Sequence, residues 1–143
     1  MSIKQISVLI ENKMGSLAEV TEFLAKSNIN LRALSIADTA DFGILRIITD
    51  NPNNTRDILR AEGYTVKATS VLAVAIKDKP GAMANVLTIL NDAEITVEYA
   101  YAFTPNTPDK AYVILRVDNN DKACEVLSDK NIRILSQDDI FND

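Results

Sequence analysis

The sequence predicts an α+β fold of two ferredoxin-like βαββαβ sandwiches in tandem, each an antiparallel sheet with helices on one face. Three observations carry this expectation. The 143-residue chain repeats itself, each repeat alternates strand and helix periodicity in the same order, and 47% hydrophobic against 24% charged residues suits a chain that folds around a core. Sliding the sequence by 66 positions lays Ile6–Gly15 on Leu72–Gly81, and Leu17, Ala18, Val20, Leu24 and Ile29 then meet Met83, Ala84, Val86, Leu90 and Ile95. Ile44-Leu45-Arg46 matches Ile114-Leu115-Arg116 at an offset of 70, so about four extra residues fall at Thr104–Asp109 of the second copy. The repeat sets domains at residues 1–69 and 70–143.

In the first copy Ile6, Val8 and Ile10 alternate as one strand face. Ser16-Leu17-Ala18-Glu19 has the capping-box pattern of a helix start, and Leu17, Val20 and Leu24 mark its apolar stripe. Asn28-Ile29-Asn30 closes that helix. Strands are expected at 31–36 and 44–49 around a turn at 38–43, and Asn51-Pro52 supplies an N-cap with proline at the first helical position. Gly63 stops this second helix, and 64–67 read as an edge strand. Ala68-Thr69-Ser70 is too short for a flexible linker.

The second copy repeats the order. Leu72, Val74 and Ile76 give the first strand face; Met83, Val86, Leu87 and Leu90 give the helix stripe. Strands at 96–103 and 111–118, a helix over about 120–127 and a strand near 132–135 follow. The acidic end, Asp138–Asp143, reads as solvated or loosely docked. A unit of about 70 residues buries only a little over 60% of its surface alone, which motivates packing between modules or oligomerisation.

Composition excludes several functions. Fifteen Lys+Arg against twenty Asp+Glu leave a net charge of −5, the wrong sign for a nucleic-acid backbone binder. The expected aromatic platform of an RNA-binding sheet is also missing. No apolar run approaches the roughly 20 residues of a membrane span, and Met1–Lys4 begins no signal peptide, so a cytoplasmic home is expected. The absence of histidine removes the usual general base and the commonest metal ligand. The single cysteine, Cys124, reads as a small half-buried helix residue. No catalytic role, cofactor or metal is expected.

A glycine between a strand and a helix start permits positive φ, and the helix start offers N–H groups and a positive dipole end to a carboxylate. Asn12-Lys13-Met14-Gly15-Ser16-Leu17 and Asp78-Lys79-Pro80-Gly81-Ala82-Met83 resemble the strand-to-helix signature of ACT domains, small regulatory modules that bind amino acids. The likeness spans nearly the whole chain as two tandem copies. The second has the common Asp-x-Pro-Gly form, whereas the first has Met14 where proline is usual. The resemblance implies side-by-side pairing of modules through sheet edges, with the effector at the junction. Its contacts would come from the glycine loop and the opening of the second strand. Carried onto this chain, these are Asn12, Met14, Gly15, Ser16, Leu17, Asn30 and Leu31, and in the second copy Asp78, Pro80, Gly81, Ala82, Met83 and Thr96.

Within the family, the first copy is similar to the serine-binding regulatory domain of phosphoglycerate dehydrogenase. Asn12 and Asn30 stand where that domain contacts its effector, and Ile10 stands where its site has a histidine. An Asn amide both donates and accepts, so it meets an ammonium and a carboxylate alike, whereas Asp78 would repel the carboxylate. The first copy is therefore the stronger candidate site. The plain alternative is that Asn12 and Asn30 are loop and turn residues. Lys13 and Lys79 read as solvated loop charges. Tyr99, Tyr101 and Phe103 share one strand face and read as core or interface packing, and Arg46 and Arg116 as a solvated sheet face.

The function expected is that of a non-catalytic amino-acid sensor. Its partners would be a free amino acid, a second copy in a homodimer, and an enzyme of amino-acid metabolism, with neither nucleic acid nor membrane. The competing reading is a ligand-independent regulatory or scaffolding subunit that binds an enzyme through its sheet edges.

Overall fold

The computed structural model describes residues 2–142. The chain divides into two compact units, Lys4–Thr69 and Ser70–Asp143 with Met1–Ile3, and each is a βαββαβ sandwich. The first unit is built from β1 (Ile3–Glu11), α1 (Ser16–Lys26), β2 (Leu31–Asp38), β3 (Phe42–Thr49), α2 (Pro52–Ala61) and the first part of β4 (Thr65–Lys77). Its strand order is β2-β3-β1-β4. Antiparallel pairing of β1 with β3 sets Ile6, Val8 and Ile10 opposite Ile47, Leu45 and Gly43, so these residues share one face. Val20 and Leu24 of α1 and Leu59 of α2 close over that face, and all three are fully buried. Burying each such aliphatic side chain contributes roughly 1.5–3 kcal/mol relative to leaving it exposed.

The second unit uses the rest of β4, α3 (Ala82–Asp92), β5 (Val97–Phe103), β6 (Lys110–Val117), α4 (Asn120–Asp129), β7 (Arg133–Ile134) and a last helix α5 (Gln137–Phe141). Its order is β7-β4-β6-β5. Leu72 and Val74 lie opposite Leu115 and Val113, and Val86, Leu90, Ala123 and Leu127 pack on them from α3 and α4. Cys124 is half-buried against the same core. The fold class expected from the repeat is the fold observed.

Four local expectations are corrected. Ser16 and Glu19 form no capping box: the N-cap is Gly15, no side chain caps α1, and Ser16 is the first helical residue. The left-handed turn at Gly15 takes the capping place, which puts Glu19 one position too far into the helix. Leu17 and Leu87 do not join the buried stripes; each is 37% exposed at the rim. Residues Ala68, Thr69 and Ser70 are strand, within β4, because they include no glycine or proline to break it. The acidic end is an ordered helix as far as Phe141, Asp143 lying outside the described residues: Ser136 and Asp139 cap α5 reciprocally, Arg133 pairs with Asp139 at 3.3 Å, and Ile140 is 1% exposed.

Candidate functional site

In both units the chain leaves the first strand, makes a tight loop and enters a helix through a left-handed glycine. Gly15 has φ 89° and ψ −15°, and Gly81 has φ 90° and ψ −16°. The loops share their hydrogen bonds as well. Asn12 N–H donates to Asp41 O and Asp78 N–H to Asp109 O, both at 2.9 Å; Ser16 N–H donates to Lys13 O and Ala82 N–H to Lys79 O, both at 3.3 Å. Neither helix has a side-chain cap, so the N–H groups of its first turn that lack an intrahelical acceptor face outward beside the glycine. A carboxylate is the group such a terminus holds best.

The Asn12 side chain is anchored rather than loose. Its Nδ2 donates to Thr39 O at 3.1 Å, which ties the glycine loop to the β2–β3 turn and leaves Oδ1 and a second amide N–H for another partner. Met14 is 99% exposed at the loop tip, where the second copy has the exposed Pro80. Asn30 is held differently: its backbone N–H donates to Asp50 Oδ1 at 3.2 Å, and Asp50 N–H returns a bond to Asn30 O. Thr96 and Asp118 make the same pair in the second unit. Leu31 turns its side chain toward the first core, and Met83 packs against the second.

The expected effector residues fall into two groups in each unit. Asn12, Met14, Gly15, Ser16 and Leu17 lie together at one end of α1. Asn30 and Leu31 lie beyond its other end, across 11 residues of helix or about 16 Å. Asp78, Pro80, Gly81, Ala82 and Met83 are separated from Thr96 in the same way by α3. No one unit brings both groups to one small ligand.

Beside each glycine loop, between the ends of its sheet strands and the helix start, lies a cleft. The first is about 450 Å³ and is lined by Glu11, Lys13, Glu19, Phe42, Glu62 and Tyr64, among others. Lys13 Nζ pairs with Glu11 Oε2 at 2.9 Å, and this hydrogen bond, with the Glu11 charge, raises the lysine above its ordinary pKa. Burial, followed by the carboxylates of Glu19 and Glu62, pushes the Tyr64 phenol upward. The second cleft, about 320 Å³, is lined by Ala75, Ile76, Lys77, Lys79, Ala82, Lys110, Asn131, Ile132 and Arg133. Sequence reasoning missed these linings. The signal lay in the repeat itself, where Glu11 aligns with Lys77 at the offset of 66.

Other residues singled out from the sequence have packing roles. Phe103 meets the buried Tyr112 edge-to-face, with centroids 5.5 Å apart. Arg116 is not merely solvated: it donates to Ser70 O at 3.2 Å and pairs with Glu98 at 3.4 Å. Asp50-Asn51 and Asp118-Asn119 form a second repeated device missed as such. Each aspartate binds the start of the unit's second strand, and each asparagine caps the following helix through its side chain.

Among the described residues no helix is long and apolar enough to cross a membrane. No curated protein matches the chain. Among solved structures it is similar to protein BT0572 from Bacteroides thetaiotaomicron, with 43% identity over 99% of this chain and 96% of that one and a TM-score of 0.91. The ligand-free regulatory subunit of aspartate kinase from Thermus thermophilus is 16% identical, covering 88% of this chain and 91% of its own, with a TM-score of 0.65. The corresponding subunit from Thermus flavus is 15% identical, covering 88% and 90%, with a TM-score of 0.60. At those identities the likeness to the two kinase subunits is one of fold. The family model for an ACT domain pair matches residues 1–142, and with the paired sandwiches and duplicated glycine loops it establishes that this chain is a member of the ACT domain family.

Proposed function

We propose that this protein is a non-catalytic regulatory subunit that binds a free amino acid at the Gly15 loop and modulates a separate enzyme of amino-acid metabolism. The observation that carries the reading is the uncapped helix start behind a left-handed glycine, with an anchored asparagine beside it. The effector carboxylate meets the N–H groups of Gly15 and Leu17, since Ser16 N–H is bonded to Lys13 O, and its ammonium meets Asn12 Oδ1. Because Asn30 lies beyond the far end of α1, it contacts the same ligand only when a second module supplies it. The site is therefore completed in a homodimer, with the Asn12 end of one chain facing the Asn30 end of its partner. Gly81, Ala82 and Met83, with Asp78, Pro80 and Thr96, form a weaker counterpart, since the Asp78 carboxylate repels that of the effector.

The ligand transmits to the partner enzyme only its preference between two packings of the modules. Thermal unfolding against each common amino acid at millimolar concentration tests the reading. One amino acid is expected to raise the midpoint selectively; at about 100 times its dissociation constant it adds about 2.7 kcal/mol. Asn12→Ala is expected to remove that rise. No selective rise with any amino acid would refute the sensor.

A second reading is favoured by a specific surface. Leu34 and Ile36 of β2, which ends the sheet path, are 49% and 42% exposed, and Leu17 is 37% exposed on α1. A subunit docking an enzyme through this edge needs no effector. Activation of a co-purified enzyme with all amino acids removed would favour it.

A further inference from the structure

The two clefts beside the glycine loops occupy equivalent places in their units and carry opposite charge. Where β1 pairs Glu11 with Phe42, β4 pairs Lys77 with Lys110. Lys13 and Lys79 stand at the same loop position, and Thr65, which follows the left-handed Gly63 by two residues, corresponds to Arg133, which follows the left-handed Asn131 by two. The lining of the first cleft holds three carboxylates and one lysine, and that lysine is already paired. The lining of the second holds four cations and no carboxylate.

These cations are poorly compensated by the protein itself. Lys77, Lys79 and Lys110 form no ion pair among the described residues, and Arg133 is paired only with Asp139, at 3.3 Å. Asp78 and Asp109 flank the strand ends outside the lining, and Lys130 precedes Asn131 on the other side. Gathering like charges in one concavity disfavours the empty site, and does so in a chain whose net charge is −5. The uncapped start of α3 at Ala82 adds its positive dipole end to the same place. Ala75, Ile76, Ala82 and Ile132 give the cleft an apolar wall, so it also suits a carbon skeleton.

We propose that the cleft of Lys77, Lys79, Lys110 and Arg133 binds a small organic polyanion, a phosphate ester or a polycarboxylate, separately from the amino-acid site at the Gly15 loop. Lysines act as mobile point charges that suit several close negative groups, and Arg133 adds a fork for bidentate contact. The volume of about 320 Å³ admits a metabolite rather than a polymer.

Isothermal titration calorimetry of the full chain against inorganic pyrophosphate and citrate, at ionic strength matched with sodium chloride, tests the proposal. At least one probe is expected to bind saturably, with affinity that falls as salt is added. Binding of pyrophosphate alone identifies a phosphate site, and binding of citrate alone a polycarboxylate site. The Lys77→Ala, Lys110→Ala double variant, both exposed positions, is expected to keep its circular dichroism and lose at least tenfold in affinity. Asn12→Ala is expected to bind as the parent does, which separates this site from the amino-acid site at the Gly15 loop. Absence of saturable binding to both probes, or undiminished affinity in the double variant, would overturn the proposal.

Discussion

At Gly15 and Gly81 the backbone torsions agree within 1°, and four loop hydrogen bonds recur at the same lengths; yet the clefts beside them carry acidic and basic linings. The difference teaches that shape and charge are specified by separate residues. A glycine and a run of backbone hydrogen bonds fix the loop, whereas Glu11 or Lys77, Phe42 or Lys110, and Thr65 or Arg133 decide what the neighbouring cleft attracts. Duplication thus leaves one scaffold with two electrostatic environments.

If the scaffold is truly shared, equivalent core truncations must cost the same. Leu24 and Leu90 are both fully buried at corresponding places in α1 and α3. Leu24→Ala and Leu90→Ala are each expected to destabilise by about 2–5 kcal/mol, measured by denaturant unfolding. A cost below about 1 kcal/mol at either position would show that its core is not closed there. The next effect in size belongs to the loops. A Cβ at Gly15 or Gly81 meets nothing within 4 Å, so Gly→Ala introduces conformational strain without a clash. Each is expected to cost about 1–2 kcal/mol. A markedly cheaper change at one glycine would mean that the two loops relax differently.

The repeat made the fold legible because strand alternation and the helical stripe occur twice, each copy checking the other. Local devices were harder to read. Ser16-Leu17-Ala18-Glu19 has a capping pattern, but the left-handed turn at Gly15 takes the N-cap role one residue earlier. Ala68, Thr69 and Ser70 carry no punctuation, and small β-compatible residues let β4 continue through them. For the candidate site, the glycine loops and the helix between Asn12 and Asn30 could be read from sequence, whereas the cleft linings could not, because they gather residues far apart in the chain. The two asparagines stand at opposite ends of α1 because the chain enters that helix after Asn12 and leaves it before Asn30.

The smallest effect concerns an element that one unit has and the other lacks. Leu135 N–H bonds Ala73 O, after which the second unit turns into α5, whereas the first unit has no helix after its last strand because the chain continues as β4. The turn depends on Asp139, which accepts the Ser136 N–H at 2.8 Å and pairs with Arg133. Hydrogen bonding from Ser136, more than the Arg133 charge, holds its carboxyl below the ordinary range. A depressed folded-state value means that the contribution is fully present above the unfolded carboxyl pKa of about 4 and is lost as pH falls through the lower, folded value. Asp139→Asn is therefore expected to lower the thermal midpoint at neutral pH by a little, under about 1 kcal/mol for so exposed a group. The gap from the parent is expected to close as the pH drops below about 4. A parent–variant difference that stays constant from neutral to acid pH would mean that Asp139 acts through shape rather than charge, and that α5 is held chiefly by the burial of Ile140.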